Sequence, residues 1–373
     1  MKMLFVIGTR PEAIKMAPLI KKFNTNSQFQ VIVCNTGQHK DLLDPIINFF
    51  NINLDYNLFT MEDSQTLEGI TSKILLNLPK IFKEVNPDFV FVHGDTTTSF
   101  SAALAAFYSK ITIVHIEAGL RTYNKMAPFP EEMNRTLTAR LSDIHFAPTA
   151  EAGRNLQYEG IDKDVIVTGN TVIDALLEAV DLINVNNVEI VALKNIIDFS
   201  KKIILFTGHR RENFGGGFEK IFSALTKLSK NRDDVVVVYP VHPNPNVKLL
   251  AEKHFINNPN IYLVNPLGYD SFIWLLKKSF LVITDSGGIQ EEAPSLGKPV
   301  LVLRDETERP EAVAAGTVIL VGSDEDKILH EANLLLNDDV HYKKMSELNN
   351  PYGDGKASER IVNYFVELSN YKK

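Results

Sequence analysis

Eleven short, predominantly apolar runs, most of them apolar on consecutive rather than alternating positions, recur along the chain, separated by stretches of helical periodicity. They fall at residues 4–7, 31–33, 89–92, 111–116, 144–146, 165–167, 203–206, 235–238, 261–264, 281–283 and 300–303. A strand with no polar side must be covered on both faces, which is the condition of a parallel sheet flanked by crossover helices. The expectation is an α/β, doubly wound chain. Six runs precede residue 170 and five follow residue 200, so two Rossmann-like domains in tandem are expected. The length of 373 residues agrees, since domains commonly take about 100–200 residues each.

Charge and cysteine content narrow the function. A net charge of −7 disfavours a general nucleic-acid or anionic-membrane surface, so anion binding has to come from local clusters. Cys34 is the single cysteine, which leaves no intrachain disulfide and no Cys-rich zinc site. The N-terminal apolar run is stopped by Gly8-Thr9-Arg10-Pro11, too early for a signal peptide, and no stretch approaches the roughly 20 apolar residues of a membrane span. A cytoplasmic protein without nucleic-acid or membrane partners is expected.

In open α/β sheets ligands gather beyond the carboxyl ends of the strands. Polar residues of this chain concentrate there: Arg10 after the first run, Gln38 and His39 after the second, Asp95 after the third, Glu117 after the fourth, then His209, Arg210, His242 and Ser286 to Gly288. Two turns, Gly8-Thr9-Arg10-Pro11-Glu12 and Thr284-Asp285-Ser286-Gly287-Gly288, stand where a strand gives way to a helix, a position that favours phosphate. A diphosphate held between two α/β halves follows as an expectation. Each residue also has a plainer role open to it. Asp95 can cap the helix that begins at the Thr96-Thr97-Thr98 run, Glu117 can pair with Arg10, and His242 can be a hydrogen-bonded turn residue. Neither G-x-G-x-x-G nor G-x-x-x-x-G-K-[ST] occurs, nor H-E-x-x-H, nor G-x-S-x-G. A tightly held dinucleotide, a P-loop, a protein-held metal and a serine nucleophile therefore lack support, and no cofactor is expected.

The segments Gly8-Thr9-Arg10-Pro11-Glu12, Val92-His93-Gly94-Asp95-Thr96-Thr97-Thr98, His115-Ile116-Glu117-Ala118-Gly119-Leu120-Arg121, Pro128-Phe129-Pro130-Glu131-Glu132-Met133-Asn134-Arg135, Gly208-His209-Arg210-Arg211-Glu212 and Asp285-Ser286-Gly287-Gly288-Ile289-Gln290-Glu291-Glu292 resemble the bacterial non-hydrolysing UDP-N-acetylglucosamine 2-epimerases. The resemblance runs from Met3 to about Arg360. It implies a GT-B fold: one Rossmann-like domain over 1–169, a UDP-binding one over 170–355, a cleft between them, and a helix over 356–373 packing back on the first. It implies reversible epimerisation at C2 between UDP-GlcNAc and UDP-ManNAc through a 2-acetamidoglucal intermediate, supplying surface polysaccharide, in a homodimer.

The same resemblance implies roles for individual residues. Asp95, Glu117 and Glu131 are candidate proton carriers, with His209 beside them in the catalytic set. Arg10, His209, Ser286, Gly287 and Gly288 hold the phosphates, Glu292 the ribose and Phe272 the uracil, with Lys15 and Arg309 completing the site. Leu267 stands where the family often has Gln near the base. A second, activating UDP-GlcNAc is implied at Gln38, Glu131, Arg210 and His242, with Asp41 and Ser64 replacing Gln and Arg of some relatives. The rival activities are a hydrolysing epimerase that releases UDP and ManNAc, a GT-B glycosyltransferase, and a nucleotide-sugar sensor without turnover.

Overall fold

In the computed structural model, which describes residues 1–38, 40–58, 66–210, 216–230, 232–242, 244–256, 258–307 and 309–371, the described residues form thirteen strands in two parallel sheets. The chain divides into two units, Met1–Glu178 with Tyr352–Lys373, and Ala179–Pro351.

The first unit holds β1 (Lys2–Ile7), β2 (Gln30–Asn35), β3 (Tyr56–Asn57), β4 (Phe89–His93), β5 (Thr112–Ile116), β6 (Ile144–Ala147) and β7 (Val165–Val167), in the order β3-β2-β1-β4-β5-β6-β7. Leu4 pairs with Ile32 on one side and Val90 on the other. Met3 to Ile7 are all fully buried, as a strand covered on both faces requires. On one face lie Ile74 and Leu78 with Ala102 and Ala106 against Leu4, Val6 and Val92. Elsewhere Phe5 stacks on Phe91 at 4.4 Å, and Phe365 of the last helix, Ala357–Tyr371, packs 5.3 Å from Phe91. That helix is anchored at its start by Asp174, whose carboxylate accepts the amides of Ala357 (3.1 Å) and Ser358 (2.8 Å). Such a cap is worth about 1 kcal/mol.

The second unit repeats the plan with β8 (Lys202–Thr207), β9 (Val235–Pro240), β10 (Ile261–Val264), β11 (Leu281–Thr284), β12 (Val300–Val302) and β13 (Val318–Leu320), in the order β10-β9-β8-β11-β12-β13. The reversal of order at β8/β11 and at β1/β4 is the topological switch point at which α/β sheets bind ligands. The expected α/β doubly wound class therefore holds for both units. Two strands were not expected. Tyr56–Asn57 is only two residues long and half-buried, and Val318–Leu320 is an edge triplet too short for its periodicity to separate strand from helix.

Candidate functional site

The turn after β1 uses its amides internally. Thr9 caps the helix Arg10–Asn24 and Glu12 reaches back, a reciprocal box read directly from Thr9-x-x-Glu12. The buried Glu12 carboxylate accepts the amides of Gly8 (2.9 Å) and Thr9 (2.7 Å) and the hydroxyls of Thr96 (2.6 Å) and Ser99 (2.9 Å). Burial pushes its pKa up, against those four hydrogen bonds. The amides of Gly8, Thr9 and Glu12 are thus already bonded, and the half-buried Arg10 stands beside them. Gly8 itself is obligatory, because a Cβ there would lie 2.2 Å from Thr36 Oγ1 and 2.3 Å from Thr98 Oγ1.

Glu117, directly after β5, has φ +61°, a left-handed conformation that costs a side-chain-bearing residue about 1–2 kcal/mol. The strain turns its carboxylate into a buried set of partners. Lys15 donates to Oε2 in an ion pair, Asn170 donates to the same oxygen at 2.8 Å, and His93 Nε2 lies 3.9 Å away without a hydrogen-bond partner. Burial alone would push the Glu117 carboxyl up, but Lys15, His93 and Asn170 outweigh it and hold it at about 2. Burial keeps His93 neutral, its pKa brought down to about 4, and does the same to His115, at about 3. His115 Nε2 donates to the Gly94 carbonyl at 2.8 Å. Glu117 is thus partnered by Lys15, not by Arg10 as one sequence alternative had it.

Asp95 is not the cap of the next helix. Thr96 fills that role for Thr97–Tyr108, accepting from the Ser99 amide. Asp95 Oδ2 instead receives Arg135 Nε at 3.0 Å and Nη2 of the same guanidinium, while Asn134 Nδ2 donates to the Asp95 carbonyl at 3.0 Å. Both donors stand on the helix Glu131–Leu141, whose first residue is Glu131. Glu131 is half-buried, and its Oε2 is enclosed without a hydrogen-bond partner. A Cβ on Gly94 would sit 3.4 Å from Glu117 Oε1, so the Gly94–Asp95 turn lies against Glu117 as well as against the Glu131 helix. The Gly94–Asp95 turn therefore lies between Glu117 and the helix that begins with Glu131. Gln38 joins the same strand ends, accepting from Thr98 Oγ1 at 2.7 Å.

In the second unit Asp285, fully buried after β11, organises the loop after β8. Its Oδ2 accepts the amides of His209 and Arg210, each at 2.8 Å, and His209 Nδ1 lies 3.2 Å from Oδ1. Burial opposes its charge, yet His209 and the two amides hold its pKa below the usual carboxylate value. The His209 ring stacks on His242 at 5.3 Å with an interplanar angle of 14°. Burial, followed by the His209 charge, lowers the His242 pKa.

Ser286 is the N-cap of the helix Gly287–Ser295 but makes no side-chain capping bond, in contrast to Thr9. The start of this helix therefore keeps its dipole and its first amides clear of a side-chain cap. Arg309 lies against it: a Cβ on Gly287 would come within 2.6 Å of Nη1, and Nε donates to Glu291 at 2.6 Å. Glu292, half-buried, lies on the same helix, 4.0 Å from the Cβ position of Gly288. Phe272 is half-buried in the first turn of the helix Tyr269–Lys278, whose preceding Gly268 amide is held by Glu189 at 2.9 Å.

Ser64, His39 and residues Arg211 to Gly215 lie outside the described residues, as does the side chain of Asp41. Sequence reasoning gave no role to Arg135, Asn170, His93, Glu12 or Asp285. Glu12 was legible from its capping box and Asp285 from its position after an apolar run. The partners of Asp95 and Glu117 had no local signal, being 40 and 53 residues away in the case of Arg135 and Asn170.

A family model described as UDP-N-acetylglucosamine 2-epimerase matches residues 21–366. The chain is 51% identical to UDP-N-acetylglucosamine 2-epimerase of Campylobacter jejuni over 99% of this chain and 98% of that one. Identity to the Escherichia coli K12 protein of the same name is 50%, over 97% of each chain. Among solved structures, UDP-GlcNAc 2-epimerase of Neisseria meningitidis bound to UDP-GlcNAc superposes with a TM-score of 0.89 at 48% identity, covering 98% of this chain and 100% of that one.

Proposed function

The chain belongs to the UDP-N-acetylglucosamine 2-epimerase family, and we propose that it interconverts UDP-GlcNAc and UDP-ManNAc by eliminating UDP and adding it back. The observation that carries this reading is the convergence of Asp95, Glu117 and the helix that begins with Glu131 on the Gly94–Asp95 turn. C2 of the sugar bears an amide nitrogen rather than a carbonyl, so its hydrogen is not acidic. Departure of UDP from C1 leaves positive charge there and makes the C2 proton removable. A carboxylate takes that proton, giving the 2-acetamidoglucal, a second acid returns a proton to the opposite face, and UDP re-adds to C1. Glu117 is ionised at neutral pH, the form that can accept a proton, and acid–base groups of this kind contribute about 10²–10⁴-fold in rate.

The leaving diphosphate needs cations and N–H donors. Arg309, the uncapped start of the helix Gly287–Ser295 and His209 supply them in the second unit. The exchange experiment tests the scheme: turnover of UDP-GlcNAc in D2O without NAD is expected to put deuterium at C2 of UDP-ManNAc. Protium retained at C2, or dependence on NAD, would sink it. Free UDP and ManNAc as the sole products would make this a hydrolysing enzyme instead.

Cytoplasmic work on a nucleotide sugar fits a chain with a single buried cysteine, and among the described residues no helix is long and apolar enough to cross a membrane. A homodimer is part of the proposal. The neighbouring helices Leu67–Val85, Thr97–Tyr108 and Glu131–Leu141 leave Leu76 70%, Phe107 55% and Leu137 40% exposed, apolar surface that a second copy would cover. Sedimentation velocity is expected to give twice the 41.9 kDa chain mass. A single species at the chain mass across micromolar concentrations would exclude the dimer.

A further inference from the structure

Proton carriers contributed by separate segments react productively only if their spacing is closely fixed, since a misplacement of about 1 Å can cost 10²-fold. We infer that Arg135 is the positioning residue that sets the Asp95 carboxylate against the helix bearing Glu131, an inference that rests on the reading of Asp95 as a proton carrier.

Two nitrogens of the guanidinium, Nε and Nη2, converge on Asp95 Oδ2, and no bond from Arg135 reaches Oδ1. The carboxylate is thereby held by one edge, with the other oxygen left for chemistry. The third nitrogen, Nη1, donates to Glu132 Oε2 at 3.0 Å. Glu132 in turn accepts the amides of Thr122 (3.0 Å) and Tyr123 (2.8 Å), in the loop that follows Glu117. Asn134 adds a fourth tie, from the same helix to the Asp95 carbonyl. One buried guanidinium, in a residue only 7% exposed, therefore links the Asp95 turn, the Glu131 helix and the loop downstream of Glu117.

The geometry calls for arginine specifically. Lysine offers its donors from a single nitrogen on a flexible stem, without the planar fork that holds an aspartate edge and Glu132 in fixed directions. A purely structural ion pair would use the same contacts, but it would not make the loss of Arg135 depend on whether Asp95 can carry a proton. That dependence distinguishes the two roles.

The experiment is a double-mutant cycle on the full chain, reading kcat and KM for epimerisation in wild type, Arg135→Lys, Asp95→Asn and the double variant, with thermal melting of each. Arg135→Lys is expected to lower kcat about 10²-fold with KM changed only a few-fold. In the Asp95→Asn background the same change is expected to cost less than about threefold. Fully multiplicative losses, or near-normal kcat in Arg135→Lys, would overturn the inference while leaving the epimerase reading intact. Near-normal turnover in Asp95→Asn alone would remove the proton-carrier reading of Asp95, and the inference with it. Should Arg135→Lys fail to fold, Glu132→Gln loosens the guanidinium from its other side. That variant is expected to lose about tenfold in kcat only when Asp95 is present, and loss of the same size in both backgrounds would overturn the inference.

Discussion

Glu117→Gln is expected to lower epimerisation by about 10²–10⁴-fold while UDP affinity stays within a few-fold of wild type. The substitution keeps side-chain size and most hydrogen-bonding capacity but removes the capacity to carry a proton. Asp95→Asn and Glu131→Gln are expected to fall in the same range. Steady-state kinetics beside UDP calorimetry measures both quantities. Near-normal turnover in a folded Glu117→Gln protein would return Glu117 to the role of a structural partner of Lys15.

The same variant carries a stability signature with a definite sign. In the folded protein the Glu117 pKa is depressed to about 2 from an ordinary 4.5. A carboxylate depressed on folding stabilises the native state above the unfolded-state pKa, and that stability is lost as pH falls through the folded value. The loss attributable to Glu117 thus falls between about pH 4.5 and 2. His93 and His115 act at higher pH, because burial holds them neutral with values near 4 and 3, so their contribution declines as pH falls below the ordinary 6.5. Melting temperature followed from pH 7 to 3 should therefore fall in two overlapping stages. Glu117→Gln should flatten the lower one. At neutral pH it should also melt lower than wild type, since the buried Lys15–Glu117 ion pair is lost. An unaltered acid limb would mean that Glu117 is not ionised in the folded protein.

The doubly wound architecture was legible because its physical cause is local. Strands buried on both faces have to be apolar at consecutive positions, and β1, with Met3 to Ile7 all fully buried, is the plainest instance. The placement of the candidate residues at strand ends was legible for the same reason, since Asp95 and Glu117 come just after β4 and β5. Partnerships were less visible. Nothing near Asp95 in sequence announces Arg135, and the guess that Asp95 caps a helix failed by one residue because Thr96 offers a hydroxyl at the better position. The two glycine-containing turns looked equivalent as phosphate sites in the sequence. They differ in the structure because Thr9 and Glu12 consume the amides of the first, while Ser286 makes no side-chain cap at the second. The left-handed conformation of Glu117 also left no trace in the sequence, because only tertiary contacts with Lys15 and Asn170 hold a side-chain-bearing residue there.

That difference between the turns leads to Gly287→Ala. A Cβ at residue 287 would stand 2.6 Å from Arg309 Nη1 and 2.9 Å from its Cζ, so the guanidinium has to move away from the start of the helix Gly287–Ser295. The clash is with the far end of a flexible side chain rather than with backbone, and the strand and helix around it keep their packing. Loss of a charge-assisted bond to a diphosphate is worth about 1.5–3 kcal/mol, so UDP should bind about 10–100-fold more weakly. The melting temperature without ligand should change by only a few degrees, because Arg309 also gives up part of its pairing with Glu291. Gly8→Ala makes the opposite comparison. There the added methyl meets two buried threonine hydroxyls at 2.2 and 2.3 Å, and the expected loss is in folding itself. Calorimetric titration of UDP into folded Gly287→Ala is the deciding measurement. Wild-type affinity would mean that the diphosphate does not rest at this helix start, and the role of Arg309 would fall with it.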